Sequence, residues 1–290
     1  MRKGGTPLFR DNPAPPFLKS IREAFGPFDP KCLVATWRAG DLHFLIIALA
    51  GLSAGFINAL AGGGSFVTLP ALIAAGVPPV AANASSTVGL FPAQIATAFT
   101  ARESLSEISR DRKISVLALS VISLVGGLLG GLLLLVTSEQ MFSRIVPWLI
   151  LFATVSFAAG LMPGATRGRA RLDRRGVYLV QGLVSIYGGY FGGGIGILML
   201  ATLALYGMTD ILAMNGLKIL LAMLMNAAAV ATFAMTDLVH WPQTIMLAVT
   251  ATLGGVFGVR LSRRIRPIHI RLFVIFIGLV LTVFFFVKPP

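Results

Sequence analysis

Long apolar stretches separated by short polar connections fill the chain from about residue 42 to its end. A stretch of about 18 or more apolar residues is long enough to cross a bilayer as a helix. Segments that reach or approach this length are 42–75, 79–101, 114–137, 144–162, 177–206, 211–236, 244–261 and 270–287. The pattern predicts an all-α integral membrane protein with about eight hydrophobic helical segments.

Two of these segments, the first and the fifth, are interrupted by a run of glycines. The first run is Gly62, Gly63 and Gly64, followed by Ser65, and the second is Gly192, Gly193 and Gly194. Irregular backbone at membrane depth is tolerated only where protein or a wet cavity surrounds it. The runs therefore predict discontinuous or re-entrant helices that line a cavity, with Ser65 as an N-cap. The alternative is that these glycines only let helices pack closely.

The two interruptions belong to an internal repeat of four segments. When the second half is aligned with the first, polar residues match: Asn215 with Asn83, Lys218 with Ser86 and Asn226 with Gln94. Thr97 and Ala222 share the helical faces that these residues form. Glycines at 126–131 and 254–258 also match, and we interpret them as helix-packing positions. The predicted organisation is a polar basic leader (1–41), a first membrane repeat (42–165), a basic linker (166–175) and a second membrane repeat (176–290).

Composition and charge agree with a membrane location. The chain is 56% hydrophobic and 12% charged, whereas soluble domains average about 25% charged residues. The net charge of +13 comes from connections at 102–113, 167–175 and 260–266, which the positive-inside rule retains in the cytoplasm. All three connections lie on the same face of the membrane if each glycine-interrupted segment enters and leaves the membrane on the same side. The halves are then inverted relative to one another. The alternative is that only one of the two broken segments is re-entrant. Because the basic residues lie in short connections between spans, we interpret them as a topology signal and expect no nucleic-acid partner.

The polar residues inside the spans favour an anion as ligand. All eleven carboxylates fall in the leader, the connections or the ends of the segments, whereas cation sites usually need an intramembrane Asp, Glu or His. Free N–H groups at a helix start attract anions. Lys218 lies inside an apolar segment, where a charge costs about 2.5 to 3.5 kcal/mol; snorkelling to the interface is the alternative. The predicted substrate-binding residues are Gly62, Gly63, Gly64, Ser65, Asn83, Ser86, Gln94, Gly192, Gly193, Gly194, Asn215, Lys218 and Asn226, with Asn58, Tyr187 and Tyr190 as cavity-lining candidates.

At these residues the chain resembles the sulfite exporter TauE/SafE family. The resemblance lies in the run from Gly55 to Ser65, in Pro70, Gly76, Pro78 and Pro79, in 81–86, in the run from Gly188 to Gly194, and in 215–218. It covers about residues 44–287, and the long basic leader departs from the commonest form. The resemblance implies a seven- or eight-helix transporter of sulfur-containing anions such as sulfite, sulfoacetate and other sulfonates.

Together these observations predict a multi-pass transporter in a bacterial inner membrane that exports sulfite or an organosulfonate by alternating access. Its partners would be the anionic substrate and the bilayer, with a homo-oligomer left open. No cofactor, metal site or catalytic residue is predicted. An anion channel or facilitator is the first alternative. An intramembrane hydrolase with Ser65 as nucleophile is a remote one, because it would need a buried general base.

Overall fold

The computed structural model of the chain describes residues 30–60, 62–100, 115–159, 172–208, 210–261, 267–288 and 290. The chain divides into two units, Met1–Leu42 and His43–Pro290, and the second unit contains the bundle of membrane helices. Most of the predicted leader, the connection at 102–113, residues 166–171 of the basic linker and residues 262–266 lie outside the described residues.

Within the described residues the chain forms ten α-helices and no strand. They are α1 (Pro30–Leu60), α2 (Ser65–Ala74), α3 (Pro79–Thr100), α4 (Val116–Leu135), α5 (Glu139–Ala159), α6 (Arg174–Tyr190), α7 (Ile195–Tyr206), α8 (Ile211–Ala234), α9 (Trp241–Leu261) and α10 (Pro267–Val287). The prediction of an all-helical protein is confirmed.

Each glycine run separates two helices. Helix α1 ends at Leu60 and α2 begins at Ser65, while α6 ends at Tyr190 and α7 begins at Ile195. Gly62 has φ 78° and Gly192 has φ 79°, in the left-handed region that residues with a Cβ rarely adopt. The prediction that Ser65 caps α2 is wrong, because Ser65 is the first helical residue and Gly64 holds the capping position without a side-chain bond.

Several other helix starts are fixed by side chains that accept hydrogen bonds from free backbone N–H groups. Ser115 Oγ accepts from Ala118 N at 3.2 Å before α4, and Asp173 Oδ1 accepts from Gly176 N at 2.8 Å before α6. At the start of α3 the acceptor comes from another helix, since Glu139 Oε2 of α5 bonds to Val80 N at 2.9 Å. This carboxylate also suits the positive end of the α3 dipole.

The helices form a multi-pass membrane protein. Four stretches of the described chain are long and apolar enough to cross a bilayer: Leu42–Leu60, Val116–Leu135, Glu139–Ala159 and Ala213–Ala234. Three shorter helical stretches are also apolar: Ser65–Ala74, Ile195–Tyr206 and Leu272–Val287. Large apolar side chains cover much of the outer surface, especially along α4, α9 and α10, as expected where lipid is the solvent.

The glycine pairs in α4 and α9 bring helices from different halves into close contact. A Cβ on Gly130 of α4 would overlap the carbonyl oxygen of Ile186 in α6, and one on Gly254 of α9 would overlap that of Leu52 in α1. Small residues permit this approach of two backbones in membranes. Their interpretation as packing positions is therefore confirmed, and α4 packs on α6 while α9 packs on α1.

Helices α3 and α8 pack against each other at the centre. Helix α4 covers α8, and α9 covers α3. The short helices that follow the breaks pack beside them, α2 on α3 and α7 on α8. The two glycine runs consequently lie next to the central pair of helices.

Candidate substrate site at the two helix breaks

Each glycine run lies next to the first residues of the short helix in the other half. A Cβ built on Gly62 would lie 3.5 Å from the Cα of Gly196, and one built on Gly192 would lie 3.8 Å from Ser65 Oγ. Each break thus faces the start of the short helix in the other half. Larger side chains at these glycines would separate the two breaks.

A small cavity of about 50 Å³ lies beside this contact. Residues from both halves line it: Asn58, Ala59, Gly62, Gln94, Thr97, Ile195, Gly196, Lys218, Ile219 and Ala222. Of the residues predicted from the sequence, Asn58, Gly62, Gln94 and Lys218 are in this group. The cavity is therefore built from both breaks and from the central helices α3 and α8.

Lys218 is the one charged residue that lines this cavity. Its side chain is only 8% exposed, and its neighbours on α8 include the buried residues Leu217 and Leu221. A lysine that snorkelled to the membrane surface would be largely exposed. Its burial shows instead that the side chain is directed into the protein, at the lining of the cavity.

The start of α7 borders the cavity through Ile195 and Gly196. The first N–H groups of a helix have no partner within it and carry its positive dipole end. In α7 the first amide that bonds back is Ile197 N, which donates to Gly194 O at 3.2 Å. In α2 it is Phe66 N, which donates to Gly63 O at 3.2 Å. The break of the second half thus places a helix N-terminus, which suits an anion, beside Lys218.

Gln94 and Asn226 join the two central helices beside the cavity. Asn226 Nδ2 donates to Gln94 Oε1 at 2.8 Å, and Asn226 is 3% exposed. Asn226 Oδ1 is buried without a hydrogen-bond partner in the described structure. Gln94 lines the cavity and Asn226 is not among the lining residues, so Asn226 positions the Gln94 amide.

Asn83 and Ser86 hydrogen-bond to the neighbours of α3 and are not among the residues that line the cavity. Asn83 Nδ2 donates to the carbonyl oxygen of Tyr190 at 2.8 Å, at the end of α6. Ser86 Oγ shares a hydrogen bond with Thr68 Oγ1 of α2. These bonds satisfy buried polar groups that would otherwise destabilise the fold, and they attach α3 to both breaks.

The two tyrosines beside the second break are not among the residues that line the cavity. The Tyr187 hydroxyl donates to the carbonyl oxygen of Gly193 at 2.8 Å, and its ring packs against Phe152 and Phe191. The Tyr190 hydroxyl lies 3.4 Å from Thr137 Oγ1. Tyr187 therefore stabilises the conformation of the glycine run, whereas the Tyr190 side chain joins α6 to the residue that follows α4.

The remaining predicted residues surround the breaks. Gly63 lies against Phe157 and Val274, Gly64 against Asn58, and Gly194 against Ala153. Asn215 is partly buried on α8, one helical turn before Lys218, and is not among the cavity residues. The glycines thus pack tightly where the helices are interrupted.

The cavity also includes residues that the prediction left out of the site. Thr97 and Ala222 lie one turn beyond Gln94 and Lys218 on the same helical faces, so their spacing is a usable signal. Ala59 and Ile219 carry no chemical signal of their own, because each is an apolar neighbour of a polar lining residue. Among the described residues, no group of three or more His, Cys, Asp or Glu could hold a metal ion.

Comparison with known proteins identifies the family of this chain. The model of the family described as "Sulfite exporter TauE/SafE" matches residues 47–285. The "Probable membrane transporter protein ORF9" of Sinorhizobium sp is 29% identical over 228 residues, 76% of this chain and 84% of that protein. The "Probable membrane transporter protein YfcA" of Escherichia coli K12 is 29% identical over 232 residues, 77% of this chain and 83% of that protein. The family match spans nearly all of the membrane helices, and the chain belongs to the sulfite exporter TauE/SafE family of membrane transporters.

Proposed function

We propose that this transporter carries a small sulfur-containing oxyanion, sulfite or a short organosulfonate, and exports it across the bacterial inner membrane by alternating access. The observation that carries the proposal is the pairing of buried Lys218 with the N-terminus of α7 on one cavity between the two breaks. Both groups are positive or partly positive, and both attract an anion.

The cavity also supplies neutral hydrogen-bonding groups that suit oxyanion oxygens. Asn58, Gln94 and Thr97 line it together with Lys218. An oxyanion presents several acceptor oxygens, and amide and hydroxyl donors can bind those that the lysine does not reach. The lining contains no acidic side chain, so a cation would find no opposite charge there.

The cavity size favours a compact anion in this conformation. A volume of about 50 Å³ is a few times the roughly 10–15 Å³ that one water needs. An inorganic oxyanion of a few atoms fits such a space. An organosulfonate with a carbon chain would require the breaks to move apart.

Alternating access is supported by the symmetry of the packing between the halves. Helices α4 and α6 pack together as α1 and α9 do, and α8 packs on α4 as α3 packs on α9. Transporters built from two related halves commonly bind substrate at their interface beside discontinuous helices and open it alternately. Here the cavity is lined by Asn58, Gly62 and Gln94 of one half and by Gly196 and Lys218 of the other.

The lining residues do not favour the hydrolase alternative. A serine nucleophile at Ser65 needs a general base within hydrogen-bond reach, and the cavity lining contains no His, Asp, Glu or Cys. The relatives from Sinorhizobium and Escherichia coli are also named as transporters.

Counterflow in proteoliposomes tests the proposal. Labelled sulfite, a labelled sulfonate and sodium ion would be followed separately with the wild-type protein, Lys218→Gln and Lys288→Gln. Lys288 is the matched control, because it is an exposed lysine at the end of α10. We expect saturable anion counterflow that Lys218→Gln abolishes and Lys288→Gln retains. Anion flux without saturation would indicate a channel, and equal flux of sodium would refute an anion site.

A further inference from the structure

A second and larger cavity, of about 890 Å³, lies between α1, α9 and α10, away from the central pair of helices. Its walls are apolar and include Leu52, Phe56, Leu253, Phe257 and Phe273. Its one charged lining residue is Arg260. We refer to this cavity as the α1–α9–α10 groove.

The groove lies on the outer surface of the helix bundle. Leu253 and Phe257 of α9 are each 61% exposed, and Phe273 of α10 is 53% exposed. Side chains of this kind face lipid in a membrane protein. The groove is therefore open to the hydrocarbon region and is separate from the cavity that contains Lys218.

Arg260 places a positive charge at one end of this apolar surface. It lies in the last turn of α9 and its side chain is exposed. Seven residues separate it from Leu253, which corresponds to roughly 10 Å along a helix. The connection that follows is rich in arginine, a feature that the positive-inside rule assigns to the cytoplasmic face.

This distribution of charge and apolar surface matches one class of ligand. A phospholipid has acyl chains that fit an apolar groove and a phosphate that a guanidinium binds through two parallel hydrogen bonds. Basic positions beside transmembrane helices on the cytoplasmic side recognise anionic headgroups. The volume also lies within the range of about 300–1,000 Å³ that is usual for ligand sites.

We propose that the α1–α9–α10 groove binds one anionic phospholipid of the cytoplasmic leaflet, with its phosphate on Arg260 and an acyl chain along Leu253, Phe257 and Phe273. This lipid contacts α1 just before the first glycine run, because Phe56 and Ile57 line the groove and Asn58 lines the central cavity. Through this contact, the lipids present in the membrane would act on α1, whose last turn lines the central cavity.

Native mass spectrometry of the detergent-purified full-length protein tests this site. The protein would be titrated with phosphatidylglycerol and, separately, with phosphatidylethanolamine of the same acyl chains. We expect the first bound phosphatidylglycerol to be held about fivefold more tightly, the value of one basic residue at a lipid surface. Arg260→Gln should remove this preference, whereas Arg175→Gln, at an exposed arginine outside the groove, should retain it.

A second pair of variants tests the apolar wall. Leu253→Trp narrows the groove where the acyl chain would lie and should weaken binding of both lipids. Leu124→Trp, on an exposed apolar position of α4 that does not line the groove, should leave it unchanged. Equal affinity for the two lipids, or unchanged binding in both Arg260→Gln and Leu253→Trp, would overturn the proposal. A two-chain species that Leu253→Trp dissociates would assign the groove to a second copy of the protein instead.

Discussion

Gln94 and Asn226, which the predicted internal repeat aligns with each other, are joined by a hydrogen bond of 2.8 Å. A residue that contacts its own counterpart lies at the axis that relates two similar halves. The central helices α3 and α8, which carry these residues, also pack directly on each other. Any movement of one half against the other would therefore change the geometry of the hydrogen bond between Gln94 and Asn226.

We expect the amide pair to contribute measurable coupling between α3 and α8. Hydrogen bonds between membrane helices contribute about 0.6 kcal/mol on average and about 1.7 kcal/mol at most. A double-mutant cycle with Gln94→Ala, Asn226→Ala and both together, read by reversible unfolding in mixed detergent, should give a coupling energy in that range. Strictly additive single effects would show that the two amides act independently.

Gly62→Ala should destabilise the protein and impair transport. Gly62 has φ 78°, a conformation that costs an L-residue roughly 1–2 kcal/mol, whereas the added methyl itself would make only an ordinary contact, 3.5 Å from Gly196 Cα. Gly182→Ala is the matched control, since Gly182 lies inside α6 and a Cβ there meets only Ile122 at 3.7 Å. The control should be neutral or slightly stabilising. The two alanine variants would be compared by thermal unfolding and by counterflow, and equal behaviour would contradict a strained break.

Asn83→Ala should destabilise the second break through its contact with Tyr190. The substitution removes the donor to the Tyr190 carbonyl oxygen, and an unpaired buried polar group costs about 1–3 kcal/mol. Asn215→Ala changes the aligned residue of the other half, which is less buried, and serves as the control. The rate of amide hydrogen exchange at residues 188–194 should rise in Asn83→Ala and stay unchanged in Asn215→Ala. Unchanged exchange there would mean that the bond does not hold the break.

If the halves are inverted, as the sequence predicts, the basic connections share one face of the membrane. In a background with Cys32 replaced by Ser, single cysteines at Ser138 and Asp237 should react with a membrane-impermeant maleimide added to intact cells. Cysteines at Arg175 and Arg260 should react only after the membrane is opened, because the positive-inside rule retains those connections in the cytoplasm. All four positions are exposed in the structure. Labelling of 175 and 260 from opposite faces would refute the inversion.

Helix boundaries and the position of the interruptions followed closely from local sequence. Runs of apolar residues and glycines act over one or two turns, so the ends of α1 at Leu60 and α6 at Tyr190 agree with the pattern. The roles of individual polar residues depend on distant partners. Asn83 and Gln94 share a polar stripe, yet Asn83 bonds to the end of α6 while Gln94 lines the cavity. Only the crossing of α3 with helices more than 80 residues away along the chain decides between these roles.

The exchange of packing partners between the halves has a consequence for biogenesis. Helix α1 acquires its close neighbour only when α9 has been synthesised, because α9 supplies Gly254 against the α1 backbone. Helix α4 likewise acquires its close neighbour only when α6 has been synthesised. We therefore expect the amino-terminal half to leave the ribosome with an unfilled helix surface, and the two halves to mature as one cooperative unit rather than as two successive domains.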